Sequence, residues 1–331
     1  MRRASLSTLG LLVSAAAIFI VVRSVDLGGT IDTLRTAQGG LIVAALPLVA
    51  VGIVLRSWRW QRLIRSAGRT VPVLRIVPVL LIGYLGNAVL PARLGEPIRA
   101  YLLARRERLS AAHVFGTALL ERIVDLAALA AIAFVASVAL GAPAWAVQLT
   151  GITALGGAAI LVLLATIGIE RPIRLLDRLL PARAGRATWL LAAAGRFAAG
   201  LGGGGQRASI GQASLLSVPI WLLDGVICLV LGQALGIHLA LAASMLIVGI
   251  GALGTSIPSA PGYLGTYELA ASSMARGLGV SPEAALGLAL LVHATTLASV
   301  AIGGAASLLL IGNQNLFQLS RAASEGEKPT V

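Results

Sequence analysis

The chain has 331 residues, of which 57% are hydrophobic and only 12% are charged, about half the charged share of an average soluble domain. Uncharged stretches of roughly 20 residues, enough to span a bilayer, recur along the sequence. They exclude an ordinary soluble globular protein and predict an all-α polytopic membrane protein. The formal net charge is +13, but the basic residues cluster just beyond the apolar segments, as the positive-inside rule requires, so we expect no nucleic-acid partner.

Six apolar segments are predicted as membrane-spanning helices. In chain order they cover about 4–22, 38–55, 112–140, 145–169, 209–234 and 284–312. Residues 23–35 are predicted as a short outside loop, and the arginine clusters place both termini in the cytoplasm. Residues 170–207 form no spanning helix and are predicted as an amphipathic cytoplasmic connector. We therefore treat 1–314 as one transmembrane domain, followed by a disordered cytoplasmic tail over 315–331.

A shorter apolar segment, 76–90, runs into LPARLGE, which places an arginine and a glutamate at membrane depth. A charge there costs on the order of 2.5–3.5 kcal/mol, so these residues need a specific environment. Basic clusters flank the segment, one ending at Arg75 and the next including Arg105. If both clusters are cytoplasmic, residues 76–104 enter and leave on one side, which predicts a re-entrant helical hairpin with its tip near LPARLGE.

A second broken segment, 239–276, contains TSIPSAPGYLGTYE and is predicted as a second re-entrant hairpin. A shift of 171 residues places SAAHVFGTALLER (110–122) over SPEAALGLALLVH (281–293), and PARLGE then meets PGYLGTYE with a small difference in length. The sequence therefore predicts two repeat units, about 72–140 and 239–312, that enter the membrane from opposite faces. Inverted repeats with broken helices are typical of transporters. The residues predicted to break the hairpins are Pro91, Gly95, Pro258, Pro261, Gly262 and Gly265.

Charged and polar side chains gather at both breaks and on the long segment that follows the first one. Glu121 and Asp125 lie four residues apart and therefore share one helix face. Guanidinium groups suit phosphate, and the start of a helix after a break favours an anion. The residues predicted to bind or transport substrate are Asn87, Arg93, Glu96, Arg99, Glu121, Arg122, Asp125, Asp224, Tyr263, Tyr267 and Glu268. The competing interpretation is a buried ion-pair network that only locks the helices together.

No catalytic residue, metal site or cofactor is predicted. His113, His238 and His293 lack the spacing of metal ligands, and no ATP-binding motif is present. Trp58 and Trp60 lie beside arginines and are interpreted as interface anchors. These features favour a transporter over an enzyme, and an enzyme stays open as the alternative.

Two regions, GNAVLPARLGEPIRAYLLARRERLSAAHVFGTALLERIVDLAAL and PSAPGYLGTYELAASSMARGLGVSPEAALGLALL, resemble the signature regions of the lysylphosphatidylglycerol synthase transmembrane-domain family. That family includes the flippase portion of the multiple peptide resistance factor, and the resemblance extends over most of residues 1–312. By this resemblance the first signature holds Asn87, Pro91, Arg93, Gly95, Glu96, Arg99, Glu121, Arg122 and Asp125, and the second holds Pro258, Pro261, Gly262, Gly265 and Glu268. The full-length synthases add a soluble aminoacyl-transferase domain, which we do not expect in this stand-alone sequence.

The resemblance implies a lipid flippase or transporter in the cytoplasmic (inner) membrane of a bacterium or archaeon. Its expected partners are membrane lipids, namely an anionic or aminoacylated phospholipid or a lipid-linked phosphate. A homodimer and a partner lipid-modifying enzyme are further expectations. The small residues Gly303, Gly304 and Ser307 permit close helix packing within or between chains. Two alternatives stay open. One is a membrane-embedded transferase acting on a polyprenyl or phospholipid phosphate, with Glu96 or Glu121 as general base, although the sequence has no Asp-x-Asp motif. The other is a membrane scaffold for a partner enzyme.

Overall fold

Twelve α-helices make up most of the chain that the computed structural model describes, which comprises residues 2–166, 186–202 and 206–324. In chain order the helices are α1 (Arg2–Ser24), α2 (Leu27–Arg35), α3 (Gly39–Ile64), α4 (Val73–Val89), α5 (Gly95–Glu107), α6 (Ala111–Ala139), α7 (Ala144–Thr166), α8 (Arg186–Gly202), α9 (Arg207–Ala234), α10 (Leu241–Gly254), α11 (Thr266–Gly277) and α12 (Pro282–Ser324). No strand lies within the described ranges. The predicted all-α fold is therefore confirmed.

Five helices are long and apolar enough to cross a membrane: α3, α6, α7, α9 and the part of α12 over Pro282–Gly312. A sixth candidate is the pair α1 and α2, which is bent by 86° at a short break. The prediction of about six membrane spans is confirmed. The prediction of a loop over 23–35 is wrong, because α2 occupies most of that segment. Asp26 caps this helix, with its carboxylate accepting hydrogen bonds from the backbone N–H groups of Gly28 and Gly29.

The first predicted hairpin is formed by α4 and α5, which fold back on each other across a one-turn 3₁₀ break at Pro91–Arg93. Glycine allows this close approach. A Cβ atom on Gly95 would lie 1.8 Å from the carbonyl oxygen of Gly83 on the opposite helix, so any side chain there would force the two helices apart. The side from which the hairpin enters the membrane remains a prediction.

The second hairpin is formed by α10 and α11, and the segment between them contains another 3₁₀ turn at Pro261–Tyr263. Here Gly254 allows the close approach, because a Cβ atom on it would lie 2.8 Å from the carbonyl oxygen of Thr266. The buried Ser14 on α1 holds the break in place. Its hydroxyl donates to the carbonyl oxygen of Leu264 and accepts from the backbone N–H of Ala260, each at 2.8 Å.

The two repeat units pack against each other reciprocally. Helix α4 of the first hairpin lies against α12, the long helix of the second unit, and α10 of the second hairpin lies against α6, the long helix of the first. Equivalent serines, Ser110 and Ser281, accept hydrogen bonds from backbone N–H groups in the first turns of α6 and α12. Each hairpin is also buried in its own apolar core. An approximate two-fold axis between the units would produce this arrangement, in which each hairpin packs against the long helix of the other unit. The entry of the two units from opposite faces of the membrane stays a prediction.

Parts of the predicted connector and of the predicted tail lie outside the residues that the structure describes. Helix α8 forms the described part of the predicted connector and packs against α6, while 167–185 and 203–205 lie outside the described residues. Helix α12 continues to Ser324, beyond the predicted end of the domain at residue 314, and the disordered tail stays a prediction. Residues 325–331 lie outside the described ranges. Gly303 and Gly304 lie against side chains of α4 within the chain, and the homodimer stays a prediction.

Candidate functional site

A cavity of about 280 Å³ lies where the two hairpin breaks meet. Its lining comes from α3, α4, α6, α9, α10, α11, α12 and both breaks. Five charged residues line it: Arg56, Arg93, Arg122, Asp125 and Asp224. Apolar side chains such as Val49, Val248 and Val292 complete the lining. The cavity thus exposes both signs of charge in an otherwise apolar environment.

Ion pairs hold most of the charged lining residues. Arg56 donates from Nη2 to Asp224 Oδ2 at 2.5 Å, which joins α3 to α9. Arg122 on α6 donates from Nε to Glu96 Oε1 at 2.9 Å, and its Nη2 also contacts that oxygen. The hairpin acid Glu96 is therefore fixed to the long helix of its own repeat unit.

Further ion pairs lie behind the lining and are almost completely buried. Arg59 donates from Nη1 to Asp125 Oδ1 at 2.5 Å and from Nη2 to Glu121 Oε1 at 3.0 Å. Glu121 Oε2 lies 2.8 Å from Arg99 Nη2, and Arg99 donates from Nε to Glu96 Oε2 at 2.7 Å. The side chains of Arg59, Arg99 and Glu121 are at most 1% exposed. These contacts connect α3, α5 and α6 in one continuous network.

The charges in these pairs balance. The four guanidinium groups belong to Arg56, Arg59, Arg99 and Arg122, and the four carboxylates belong to Glu96, Glu121, Asp125 and Asp224. A balanced set is expected in a buried site, because removal of one member of a buried ion pair leaves an uncompensated charge at a cost of about 3–5 kcal/mol. This part of the site fits the predicted locking network.

Arg93 differs from the other four arginines. It has no carboxylate partner among the residues that the structure describes. Its Nη2 donates to the backbone carbonyl oxygen of Thr255 at 2.5 Å, and its guanidinium carbon lies 5.1 Å from the centre of the Tyr263 ring. Both contacts cross from the first hairpin break to the second hairpin. Arg93 therefore gives the cavity one positive charge with no carboxylate in direct contact, among the residues that the structure describes.

The second repeat unit has its own acid–base pair. His293 Nδ1 lies 2.5 Å from Glu268 Oε1, while Glu268 Oε2 accepts from the backbone N–H of Gly265 at 2.7 Å. The His293 ring lines the cavity and lies 4.5 Å, centre to centre, from the ring of Tyr267. In the repeat alignment His293 is equivalent to Arg122. Each unit thus joins its hairpin acid to the equivalent position of its long helix.

The structure separates the predicted site residues into two groups. Those that line the cavity are Asn87, Arg93, Arg122, Asp125, Asp224, Tyr263 and Tyr267. The other four are not among the lining residues: Glu96 and Glu268 hold Arg122 and His293 directly, whereas Arg99 and Glu121 belong to the buried network. Pro91, Pro258, Pro261, Gly262 and Gly265 lie in the breaks, and Gly95 is the first residue of α5.

Several residues of the site were not predicted from the sequence, among them Arg56, Arg59, Trp60 and His293. Arg56 and Arg59 lie in a basic cluster that was interpreted only as a topology signal, although their spacing places both on one face of α3. Trp60 is fully buried beneath the guanidinium group of Arg99, 4.4 Å from ring centre to Cζ, rather than an interface anchor. His293 could have been found from its alignment with Arg122. Within the described ranges no three His, Cys, Asp or Glu side chains come together to hold a metal ion.

Comparison with known proteins agrees with this architecture. The family model described as the lysylphosphatidylglycerol synthase TM region matches residues 7–304. The chain is 28% identical over 333 aligned positions to a Haloferax volcanii protein named Glycosyltransferase AglD, with 91% of this chain and 53% of that protein covered. It therefore spans about half the length of that relative.

Two shorter matches are to archaeal proteins named UPF0104 membrane protein. One, from Methanothermobacter thermautotrophicus, is 31% identical over 124 residues, which is 37% of this chain and 36% of that protein. The other, from Methanocaldococcus jannaschii, is 28% identical over 123 residues, with 37% of each chain covered. Because the family match covers most of the sequence, the chain belongs to the lysylphosphatidylglycerol synthase TM region family and is a multi-pass membrane protein.

Proposed function

We propose that the protein is a lipid flippase that moves an anionic headgroup between leaflets through the cavity at the two hairpin breaks. The observation that carries this proposal is the Arg93 guanidinium, which faces the cavity without a carboxylate partner in the described part of the chain. Guanidinium groups bind phosphate oxygens through charge-assisted hydrogen bonds, so a lipid phosphate is a suitable ligand for it.

The size of the cavity supports a headgroup as its occupant. At about 280 Å³ it is close to the lower end of small-molecule sites, which run from about 300 to 1,000 Å³. That volume suits a phosphate with a small polar substituent, while the two acyl chains stay in the bilayer. Irregular backbone at membrane depth is tolerated where it lines such a polar cavity.

The contacts of Arg93 suggest how the cavity would open. A phosphate that binds Arg93 competes with the Thr255 carbonyl oxygen for the same guanidinium group. Because that hydrogen bond and the contact with Tyr263 join the two hairpins, the headgroup would weaken the connection between them. Movement of one hairpin past the other would then expose the headgroup to alternate leaflets. We propose the cytoplasmic membrane of a prokaryotic cell as the location, in keeping with the archaeal relatives.

A second candidate is a membrane-embedded transferase, which the name of the Haloferax relative favours. Two features argue against it. This chain covers about half of that relative, so the named activity need not belong to the shared half. The acids proposed as general bases, Glu96 and Glu121, are both engaged by arginines and neither is among the residues lining the cavity.

Purified protein in liposomes tests the proposal. Fluorescent phosphatidylglycerol should exchange between leaflets faster in these liposomes than in protein-free ones, as measured by the fraction that dithionite quenches with time. Exchange no faster than in empty liposomes would overturn the flippase function. Thin-layer chromatography of the same samples, supplied with a nucleotide sugar, would detect a new lipid product if the transferase function is the correct one.

A further inference from the structure

The two repeat units hold their hairpin acids with side chains of different acid–base character. In the first unit, Glu96 is paired with Arg122, which keeps its charge at every physiological pH. In the second unit, Glu268 is paired with His293, and histidine is the side-chain type that changes charge between about pH 5 and pH 8. The second unit therefore has a histidine at the position where the first has an arginine.

Titratable and charged groups of the described residues surround His293 on several helices. Those that share its cavity or contact it are Tyr84 on α4, Arg56 on α3, Asp224 on α9, Tyr267 and Glu268 on α11, Arg122 and Asp125 on α6, and Arg93 and Tyr263 in the breaks. The charged residues of α2, Asp32 and Arg35, form an exposed pair and do not line the cavity. Apart from Glu268, every carboxylate in this set is held by an arginine, so the pair with histidine is the one suited to exchange a proton.

We infer that the Glu268–His293 pair is a proton-binding site whose occupancy controls the affinity of the cavity for an anionic headgroup. With the proton bound, the pair is neutral and the site keeps the single positive charge of Arg93. Without the proton, the pair carries one negative charge that cancels it. An anionic headgroup should therefore bind more tightly to the protonated site, and by reciprocity its binding should draw a proton onto the pair.

The consequence of this proton–headgroup linkage for transport rests on the proposed function. A proton and an anionic lipid that favour each other's binding would cross together, so a proton gradient would drive the lipid in the direction of proton flow. The only chemical step is proton transfer: the Glu268–His293 pair takes a proton from water and later returns it to water. The chain needs no nucleotide for such coupling.

The variant His293→Arg is the sharpest probe, because it copies the Glu96–Arg122 pair of the first unit into the second. The control is His238→Gln, which alters an exposed histidine in the turn after α9. We would measure equilibrium binding of labelled phosphatidylglycerol to the detergent-solubilised protein near pH 5.5 and pH 8, bounds set by the histidine range. Wild type and His238→Gln should bind the lipid about fivefold or more tightly at the lower pH, and His293→Arg equally at both.

Equal affinity of the wild type at both pH values would overturn the inference, as would a pH dependence that survives in His293→Arg. His293→Gln serves as a second variant if the arginine disturbs folding, and it should bind weakly at both pH values. Leaflet exchange under an imposed pH gradient separates this inference from the proposed function. Wild type that binds lipid with pH dependence but never exchanges it would contradict transport alone, whereas exchange without pH dependence would contradict the proton site alone.

Discussion

Arg93 and Tyr263 occupy equivalent positions in the two repeats and contact each other, with the guanidinium carbon 5.1 Å from the ring centre. Both residues adopt left-handed backbone conformations, with φ of 55° and 61°. Such conformations are unfavourable for residues with a side chain and cluster at functional sites. Two equivalent turns thus meet at the centre of the molecule, and each directs a different side chain into the same cavity.

The buried network predicts a large loss of stability on removal of one central charge. Glu121→Gln leaves Arg59 and Arg99 without their shared carboxylate, so we expect the free energy of unfolding to fall by about 3–5 kcal/mol. The control is Asp32→Asn, which breaks an exposed pair with Arg35 and should leave stability unchanged within error. Reversible unfolding in mixed micelles measures both. Equal stability of Glu121→Gln and wild type would contradict a buried ionic network.

The two hydrogen bonds of Ser14 at the second hairpin break predict that α1 stabilises this break. Ser14→Ala removes the hydrogen-bond partner of two partly buried backbone groups, the N–H of Ala260 and the carbonyl oxygen of Leu264. We expect a loss of about 0.5–1.5 kcal/mol in unfolding free energy for each hydrogen bond, since these groups keep some access to other partners. Ser24→Ala, at the exposed end of the same helix, is the matched control and should have little effect. A Ser14→Ala protein as stable as this control would show that α1 does not hold the break.

The close contact within the first hairpin predicts that Gly95 tolerates no side chain. Gly95→Ala would place a methyl group 1.8 Å from a backbone oxygen of α4, so the hairpin has to open or misfold. Gly40→Ala, where the added methyl group meets nothing within 4 Å, should behave as wild type. The fraction of monodisperse protein recovered in detergent distinguishes the two. Normal recovery of Gly95→Ala would mean that α4 and α5 lie further apart than described.

The inverted repeat predicts that the two hairpins open to opposite sides of the membrane. Arg105 on α5 and Arg276 on α11 are both exposed and lie near the open ends of their hairpins. Single cysteines at these positions should react with a membrane-impermeant maleimide from opposite faces of intact vesicles. The native Cys228 is fully buried and should add little background. Labelling of both positions from one side would rule out the inverted arrangement.

The spans and breaks could be predicted from sequence because the bilayer imposes simple rules. A long uncharged run has few alternatives to a helix, and prolines and glycines with charges inside such a run mark a break. Helix α2, which follows the end of α1, was harder to predict. Its two glycines, Gly28 and Gly29, are typical of a loop, and only the capping contacts of Asp26 favour a helix. Local signals therefore accounted for most of the helices.

The composition of the site could be predicted only in part, because ion-pair partners are distant in sequence. Arg59 and Asp125 are 66 residues apart, and nothing in a basic cluster indicates which arginine faces inward. The repeat alignment places His293 opposite Arg122 and could have identified it as a site residue. An isolated histidine among apolar residues, however, does not indicate a site unless its partner is known. The structure adds the information that Glu268 touches it.

The most direct test of headgroup binding in the cavity is the rate of phosphatidylglycerol exchange in liposomes containing Arg93→Gln. The matched control is Arg35→Gln, which removes the same charge from an exposed residue outside the cavity. If the phosphate binds Arg93, Arg93→Gln should exchange the lipid at least about tenfold more slowly than wild type and the control, because a charge-assisted hydrogen bond contributes about 1.5–3 kcal/mol. Exchange by Arg93→Gln at the wild-type rate, with Arg35→Gln also unchanged, would contradict passage of the headgroup through this cavity.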